Sequence, residues 1–125
     1  MKKALFLLLF ALVPVLTFAQ NNQKQDVKIL KPSIVLGDLV FVSQTLKSVE
    51  IKGEEVDAFM AVDKHITDVL KDMSAQKKTG ADTVVIDYPA DLAQNTLIFM
   101  NRAKLSGQYA VVYKRFVDAI MAAAK

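Results

Sequence analysis

Few side chains in this sequence are equipped for chemistry. The chain has one histidine, His65, and no cysteine, which excludes disulfides, thiolate metal sites and thiol nucleophiles. His65 falls in a helical pattern, on the wheel face opposite the apolar one, near Ala61, Asp68 and Asp72. Only Asp68, three residues on, is a true neighbour. Asp72 lies two turns away, about 10 Å along the axis. Two local ligands fall short of a protein-built metal cage. The expectation for His65 is a solvated helix face with no metal. A Ser-His-acid arrangement would have to use His65, and no serine sits in a nucleophile-elbow sequence.

The only glutamates, Glu50, Glu54 and Glu55, gather with Asp57 around Gly53. They could form a small acidic site, but negative charge at a helix start accounts for them more simply. Gly37, Gly53, Gly80 and Gly107 are scattered, so no phosphate-cradling loop is expected. No catalytic constellation, cofactor site or metal site emerges, and the sequence reads as a binding protein rather than an enzyme. Apolar residues off the expected core faces are more informative. Leu97-Ile98-Phe99-Met100 is continuous, so Ile98 must point away from the Phe99 and Met100 face. Val111 sits among Lys114, Arg115 and Asp118 on a polar side. With Leu97 these two are the candidate interface for a protein partner or for self-association.

Positioning these residues requires a fold, and the first nineteen residues stand apart from it. Met1-Lys2-Lys3 precedes an apolar run from Ala4 to Leu16, then Thr17-Phe18-Ala19 and a polar stretch. This is the order of a secretory signal peptide, with cleavage expected after Ala19. The apolar run is short against the roughly 20 residues needed to span a bilayer. No stable membrane anchor is therefore expected after cleavage. The organisation is then a signal peptide over 1–19, a leader over 20–25 and one small domain over 26–125. Lys2 and Lys3 leave with the signal, so the balance of basic to acidic residues falls from 16 against 13 to 14 against 13. A nearly neutral exported domain is a poor match for nucleic acid, whose affinity comes mainly from phosphate neutralisation.

Within the domain, Asp26–Pro32 reads as a short extended segment, because proline disfavours helix at the residue before it. Ser33–Ile51 is ambiguous between strand and helix. Glu54–Lys78 is an amphipathic helix with Phe59, Val62, Ile66, Val69, Leu70 and Met73 on one face. Gly80 is its expected stop. Thr83-Val84-Val85-Ile86 reads as a strand ended by Pro89. Asp91 is the expected N-cap of a helix from Leu92 to about Lys104, with Gln94 completing a capping box. A last helix follows Ser106-Gly107, with a broad apolar arc that includes Val112, Phe116 and Ile120.

Two stretches share one layout. Each has an extended segment ending in proline (Pro32, Pro89), an Asp-Leu pair (Asp38-Leu39, Asp91-Leu92) and a helix. Each then has a glycine turn (Gly53, Gly107) and a second helix with aligned Phe59/Tyr113 and Ile66/Ile120. The expected unit is strand, helix, glycine turn, helix, and it makes Asp38–Ile51 helical by analogy with its counterpart. The fold class follows: mainly α, with two helical hairpins forming a four-helix core, a βαα repeat and a minor two-stranded β element. The expected role is binding or assembly in the periplasm or outside the cell. The alternative is a carrier for a small apolar ligand held between the hairpins.

Overall fold

A computed structural model describes residues 27–125. The expected signal peptide over 1–19 and leader over 20–25 lie outside the described residues. The architecture is mainly helical with minor β structure, in the order β1 (Ile29–Leu30), β2 (Ser33–Val35), α1 (Leu36–Leu46), α2 (Val56–Ala75), β3 (Thr83–Val85), β4 (Tyr88–Pro89), α3 (Ala90–Met100) and α4 (Ala110–Ala123). Single 3-10 turns, Gly53–Glu55 and Gly107–Tyr109, lead into α2 and α4. Of the ambiguous segment Ser33–Ile51, Leu36–Leu46 is helical, as its counterpart implied. Ser33–Val35 is a strand, and the expected helix over Asp38–Ile51 stops at Leu46, with residues 47–51 forming the turn toward Gly53.

The repeat has a constant spacing. Leu36 and Ala90 start the first helices and lie 54 residues apart, as do Gly53 and Gly107, and Val56 and Ala110. Burial recurs at the same spacing: Leu39 with Ala93, Val42 with Thr96, Leu46 with Met100, Val62 with Phe116 and Ile66 with Ile120 are all buried. The strands pair reciprocally between the units. Antiparallel β1 and β4 match Ile29 with Pro89 and Leu30 with Tyr88; β2 and β3 match Ser33 with Val85, Ile34 with Val84 and Val35 with Thr83. All these pairs belong to one ribbon register, centred where Pro32 faces Ile86. There the Ile86 N–H donates to the Pro32 carbonyl at 3.2 Å, and proline has no N–H to return, so the ladder breaks in two. Reciprocal pairing of this kind relates the two units by an approximate two-fold axis through the Pro32/Ile86 crossing.

The proline correspondence changes accordingly. At a spacing of 54, Pro32 matches Ile86 and Pro89 matches Val35, so the two prolines are not equivalent. Nor are Asp38 and Asp91, since Asp38 matches Leu92. Three local expectations are also corrected. α3 starts at Ala90 with Pro89 before it, and no side-chain cap is made; Asp91 lies in the first turn and accepts a hydrogen bond from the Leu92 N–H. The left-handed residue after α2 is Lys77, at φ 61°, rather than Gly80. The Lys78 N–H donates back to the Met73 carbonyl across that turn. Gly53 and Gly107 adopt no positive φ, and a Cβ at either would meet nothing within 4 Å. Close approach matters elsewhere: the Gly37 N–H donates to the Gly80 carbonyl at 2.9 Å, and a Cβ on Gly37 would meet that oxygen at 3.0 Å.

All four helices contribute to the core, and much of the packing crosses between units. α4 lies on α1 and β2, and α2 lies on α3 as well as on α1. Phe59 of α2 meets Phe99 of α3 edge to face at 5.4 Å. α3 and α4, although joined by a short turn, touch little. A polar fastener reinforces the crossing. Arg115 on α4 makes two 2.6 Å hydrogen bonds to the carboxylate of Asp38 in the first turn of α1. The Asp38 side chain is 4% exposed and that of Arg115 51%. Removing Arg115 would strand a buried carboxylate.

Arg115→Ala should therefore lower the urea midpoint, because it leaves the Asp38 carboxylate, 4% exposed, without its partner, though by less than the loss of a fully buried pair because Arg115 is half exposed. Asp38→Leu/Arg115→Ala, which places a leucine where the second unit has Leu92, should recover most of that loss. Urea unfolding of the two variants measures both effects. Equal stability of the single and the double variant would show that the pair contributes no more than surface charge.

Candidate functional site

The most apolar concavity lies between α3, α4 and β1. Ala90, Ala93 and Leu97 recur on one side of α3 at helical spacing, and Ile120, Met121 and Ala124 face them from α4 and its C-cap. Leu30 supplies the floor and Lys28 a cation at the rim; the volume is about 260 Å³. Comparison of the two units explains the opening. The residues matching Ala90, Ala93 and Ala124 in the first unit are Leu36, Leu39 and Leu70. Leu36 and Leu39 are buried, Leu70 packs against the core and α1 contacts α2, whereas α3 and α4, with alanines at these positions, touch little.

Of the three residues singled out in the sequence, Leu97 lines this groove. Ile98 is 45% and Val111 70% exposed, and neither lines it. Val111 projects from α4 roughly opposite Ile120 at 100° per residue. The three therefore do not form one patch. Met121, which lines the groove and is 54% exposed, belongs with Leu97 instead. A leucine amid continuous apolar sequence was a usable signal. The alanines were not, because nothing in a lone sequence distinguishes an alanine beside a gap from one in a tight contact.

His65 departs from expectation. It is half-buried, and its ring lies 4.7 Å from that of Tyr88, which the β3–β4 connection carries over the side of α2. Its Nε2 is buried with no hydrogen-bond partner. Burial lowers the His65 pKa, opposed by the Asp87 backbone and by the carboxylates of Asp68 and Asp87. Tyr88 is itself fixed from below. Thr96 Oγ1 donates to the Leu92 carbonyl at 2.7 Å, leaving it to accept from the Tyr88 hydroxyl at 2.6 Å. Burial pushes the Tyr88 hydroxyl up to about 12. Asp68 and Asp72 share a shallow groove of about 390 Å³ with His65 and Asp87. Among the described residues no three His, Cys, Asp or Glu side chains converge as metal ligands would.

The glutamates divide. Glu55 takes both guanidinium nitrogens of Arg102, at 2.8 and 2.6 Å, and accepts from the Lys52 N–H at 2.8 Å. Those partners, Arg102 foremost, hold its carboxyl down at about 2. Arg102 also donates to the Glu50 carbonyl at 3.3 Å and stands 5.5 Å over the Phe99 ring. Glu55 is thus a tie between the two interhelical loops, while the Glu50 side chain borders a pocket of about 370 Å³ with Ser48, Arg102 and Lys104. Ser48 matches Arg102 and Glu50 matches Lys104 at the 54-residue spacing, so this pocket lies on the approximate two-fold axis. These ion pairs and hydrogen bonds fasten loops and helices across the two units. No protein family, curated protein or solved structure matches the chain.

His65 gives a pH test. A lowered pKa in the fold means the unfolded chain takes the proton first. Stability from this group is complete above its ordinary value of 6.5 and falls as the pH drops below it. Glu55 and Asp68, both lowered, hold their contributions down through that window and lose them only under stronger acid. Urea midpoints taken between pH 7.5 and about pH 5 should decline for the wild type and stay flatter for His65→Gln. Parallel declines would place the pH dependence elsewhere.

Proposed function

We propose that this protein is an exported binding module that docks an apolar segment of a protein partner in the groove between α3 and α4. The observation that carries this reading is the replacement of Leu36, Leu39 and Leu70 by Ala90, Ala93 and Ala124 at matching positions, which opens an apolar groove in one unit only. The groove, of about 260 Å³, lies open at the surface with Met121 54% exposed at its edge, so a lone apolar ligand would stay partly wet there, whereas side chains inserted by a partner would be covered by the partner's own body. That favours a partner over a carried small molecule. Met121 and Leu97 supply apolar contacts at the groove, and Lys28 a charge at its rim, the mixed anatomy of an interface. A signal-peptide pattern over residues 1–19 supports export to the periplasm or the exterior. No helix among the described residues is long and apolar enough to cross a membrane.

Two measurements test this. Terminal sequencing of the exported chain should begin at Gln20; an intact Met1 on a cytoplasmic product would refute export. The purified exported chain should retain a defined protein partner or associate with itself. Ala90→Leu/Ala124→Leu, which restores the first unit's residues, should weaken that association about tenfold or more, equivalent to 1.4 kcal/mol. The melting temperature should hold or rise, because the variant fills space. A solitary monomer, or association indifferent to the filled groove, would defeat the proposal.

A further inference from the structure

A second opening departs from the two-fold relation in a different way and calls for a different ligand. Arg102 and Glu55 close the space between the loop after α3 and the start of α2, with Phe99 beneath the guanidinium. The two-fold relation carries Arg102 to Ser48, Glu55 to Tyr109 and Phe99 to Thr45. On that side a short hydroxyl and a ring replace a long ion pair, and a cleft of about 260 Å³ remains between α1 and the loop after α3. Its aromatic wall is Phe41 stacked on Tyr109, with centroids 5.2 Å apart and planes 27° from parallel. Tyr109 is 41% exposed.

Beside the aromatic wall the cleft is lined by one aliphatic side chain, Leu105, and by mostly neutral hydrogen-bonding ones. Gln44, Thr45 and Ser48 come from α1 and the residues just after it; Ser106 comes from the opposite loop. Each of these side chains both donates and accepts. Lys104 contributes the single charge. The cleft adjoins the axial pocket, because Ser48 and Lys104 line both. The Arg102–Glu55 tie braces the loop that forms this wall, so the geometry is set before any ligand arrives.

We propose that the cleft framed by Phe41, Ser48, Lys104 and Tyr109 binds a neutral saccharide. A sugar ring has an apolar face of C–H bonds that packs on an aromatic ring, and a rim of hydroxyls that needs closely spaced donors and acceptors. The cleft offers both. An apolar ligand would cover Gln44, Thr45 and Ser106 without offering them hydrogen bonds (the Ser48 hydroxyl already donates to the Thr45 carbonyl at 2.9 Å), and a multiply charged anion would meet one cation in the cleft. Each of the two adjoining pockets has room for a ring, so a disaccharide can lie across them, from the aromatic wall to Glu50. This site is separate from the α3–α4 groove and does not depend on it.

The test uses the exported protein, nitrogen-15 labelled, titrated by NMR with cellobiose, maltose and N,N′-diacetylchitobiose. At least one should produce saturable shifts in residues 41–48 and 104–109, with affinity in the millimolar range expected of a shallow site. Ser48→Arg/Tyr109→Glu installs the ion pair of the closed side and should abolish those shifts. Tyr109→Ala, at an exposed position, should weaken binding about tenfold while leaving the amide spectrum folded. The proposal fails if none of the three sugars shifts these residues. It fails equally if the shifts persist in the Ser48→Arg/Tyr109→Glu variant while its spectrum remains folded, or if Tyr109→Ala binds as the wild type does.

Discussion

The ribbon crossing at Pro32 and Ile86 is the constraint on which the other features depend. Each unit supplies two short strand segments, and neither pairs with the other segment of its own unit. β1 needs β4 and β2 needs β3. The same exchange fixes where the helices begin. The Leu36 N–H that opens α1 donates to the Asp82 carbonyl, and the Ala90 N–H that opens α3 donates to the Lys28 carbonyl, both at 2.8 Å. The initial N–H groups of a helix lack partners within it. Here backbone from the opposite unit supplies one at each site, which accounts for the absence of side-chain caps on α1 and α3. Neither unit can complete its helix starts or bury its apolar faces alone, so the two must fold as one.

Much of this was legible in the sequence. Gly53/Gly107, Phe59/Tyr113 and Ile66/Ile120 already carried the 54-residue spacing, and it pointed to a helix in the ambiguous segment, which the fold forms over Leu36–Leu46. The spacing was lost nearer the start of each unit because the prolines and aspartates there are local solutions. Pro32 interrupts the ladder at the axis, whereas Pro89 ends β4 and precedes α3. Asp38 faces Arg115, whereas Asp91 tidies an exposed first turn. Chemical likeness suggested equivalence where the backbone roles differ. His65 shows the other limit. A helical wheel places a residue relative to its own helix and carries no information about a connection elsewhere in the chain. Ile86, Asp87 and Tyr88 cross that side of α2 and cover a position the wheel leaves to solvent.

The approximate symmetry also makes departures from it readable. Ile34 and Val42 are aliphatic core residues in one unit; their counterparts Tyr88 and Thr96 form a buried hydrogen-bonded pair. The Asp38–Arg115 pair corresponds to Leu92 and Ala61. Each exchange sets a polar pair against an apolar one, and the members of each polar pair are hydrogen-bonded to each other, so none of their buried polar groups lacks a partner. The exchanges of Leu36, Leu39 and Leu70 for alanine, and of Arg102 for Ser48, are different in kind. They remove volume and leave space open to solvent.

Removed volume has an energetic meaning. A leucine truncated to alanine in a sealed core costs about 2–5 kcal/mol, because the cavity stays empty. At the rim of a groove the cost is smaller, since water enters, but the apolar walls then remain wet. Ala93 is 2% exposed, and Ala90 and Leu97 are only partly covered, so the α3 side of the groove grades from core to surface. Alanine also has the highest intrinsic helix propensity, so α3 and the end of α4 remain well-formed helices without the missing contacts. The groove therefore limits how tightly α3 and α4 approach each other without weakening either helix. Stability is carried instead by the ribbon and by the α1–α4 and α2–α3 contacts, which do not involve the opened face. The α3–α4 face can be occupied by another molecule without disturbing the contacts that hold the fold.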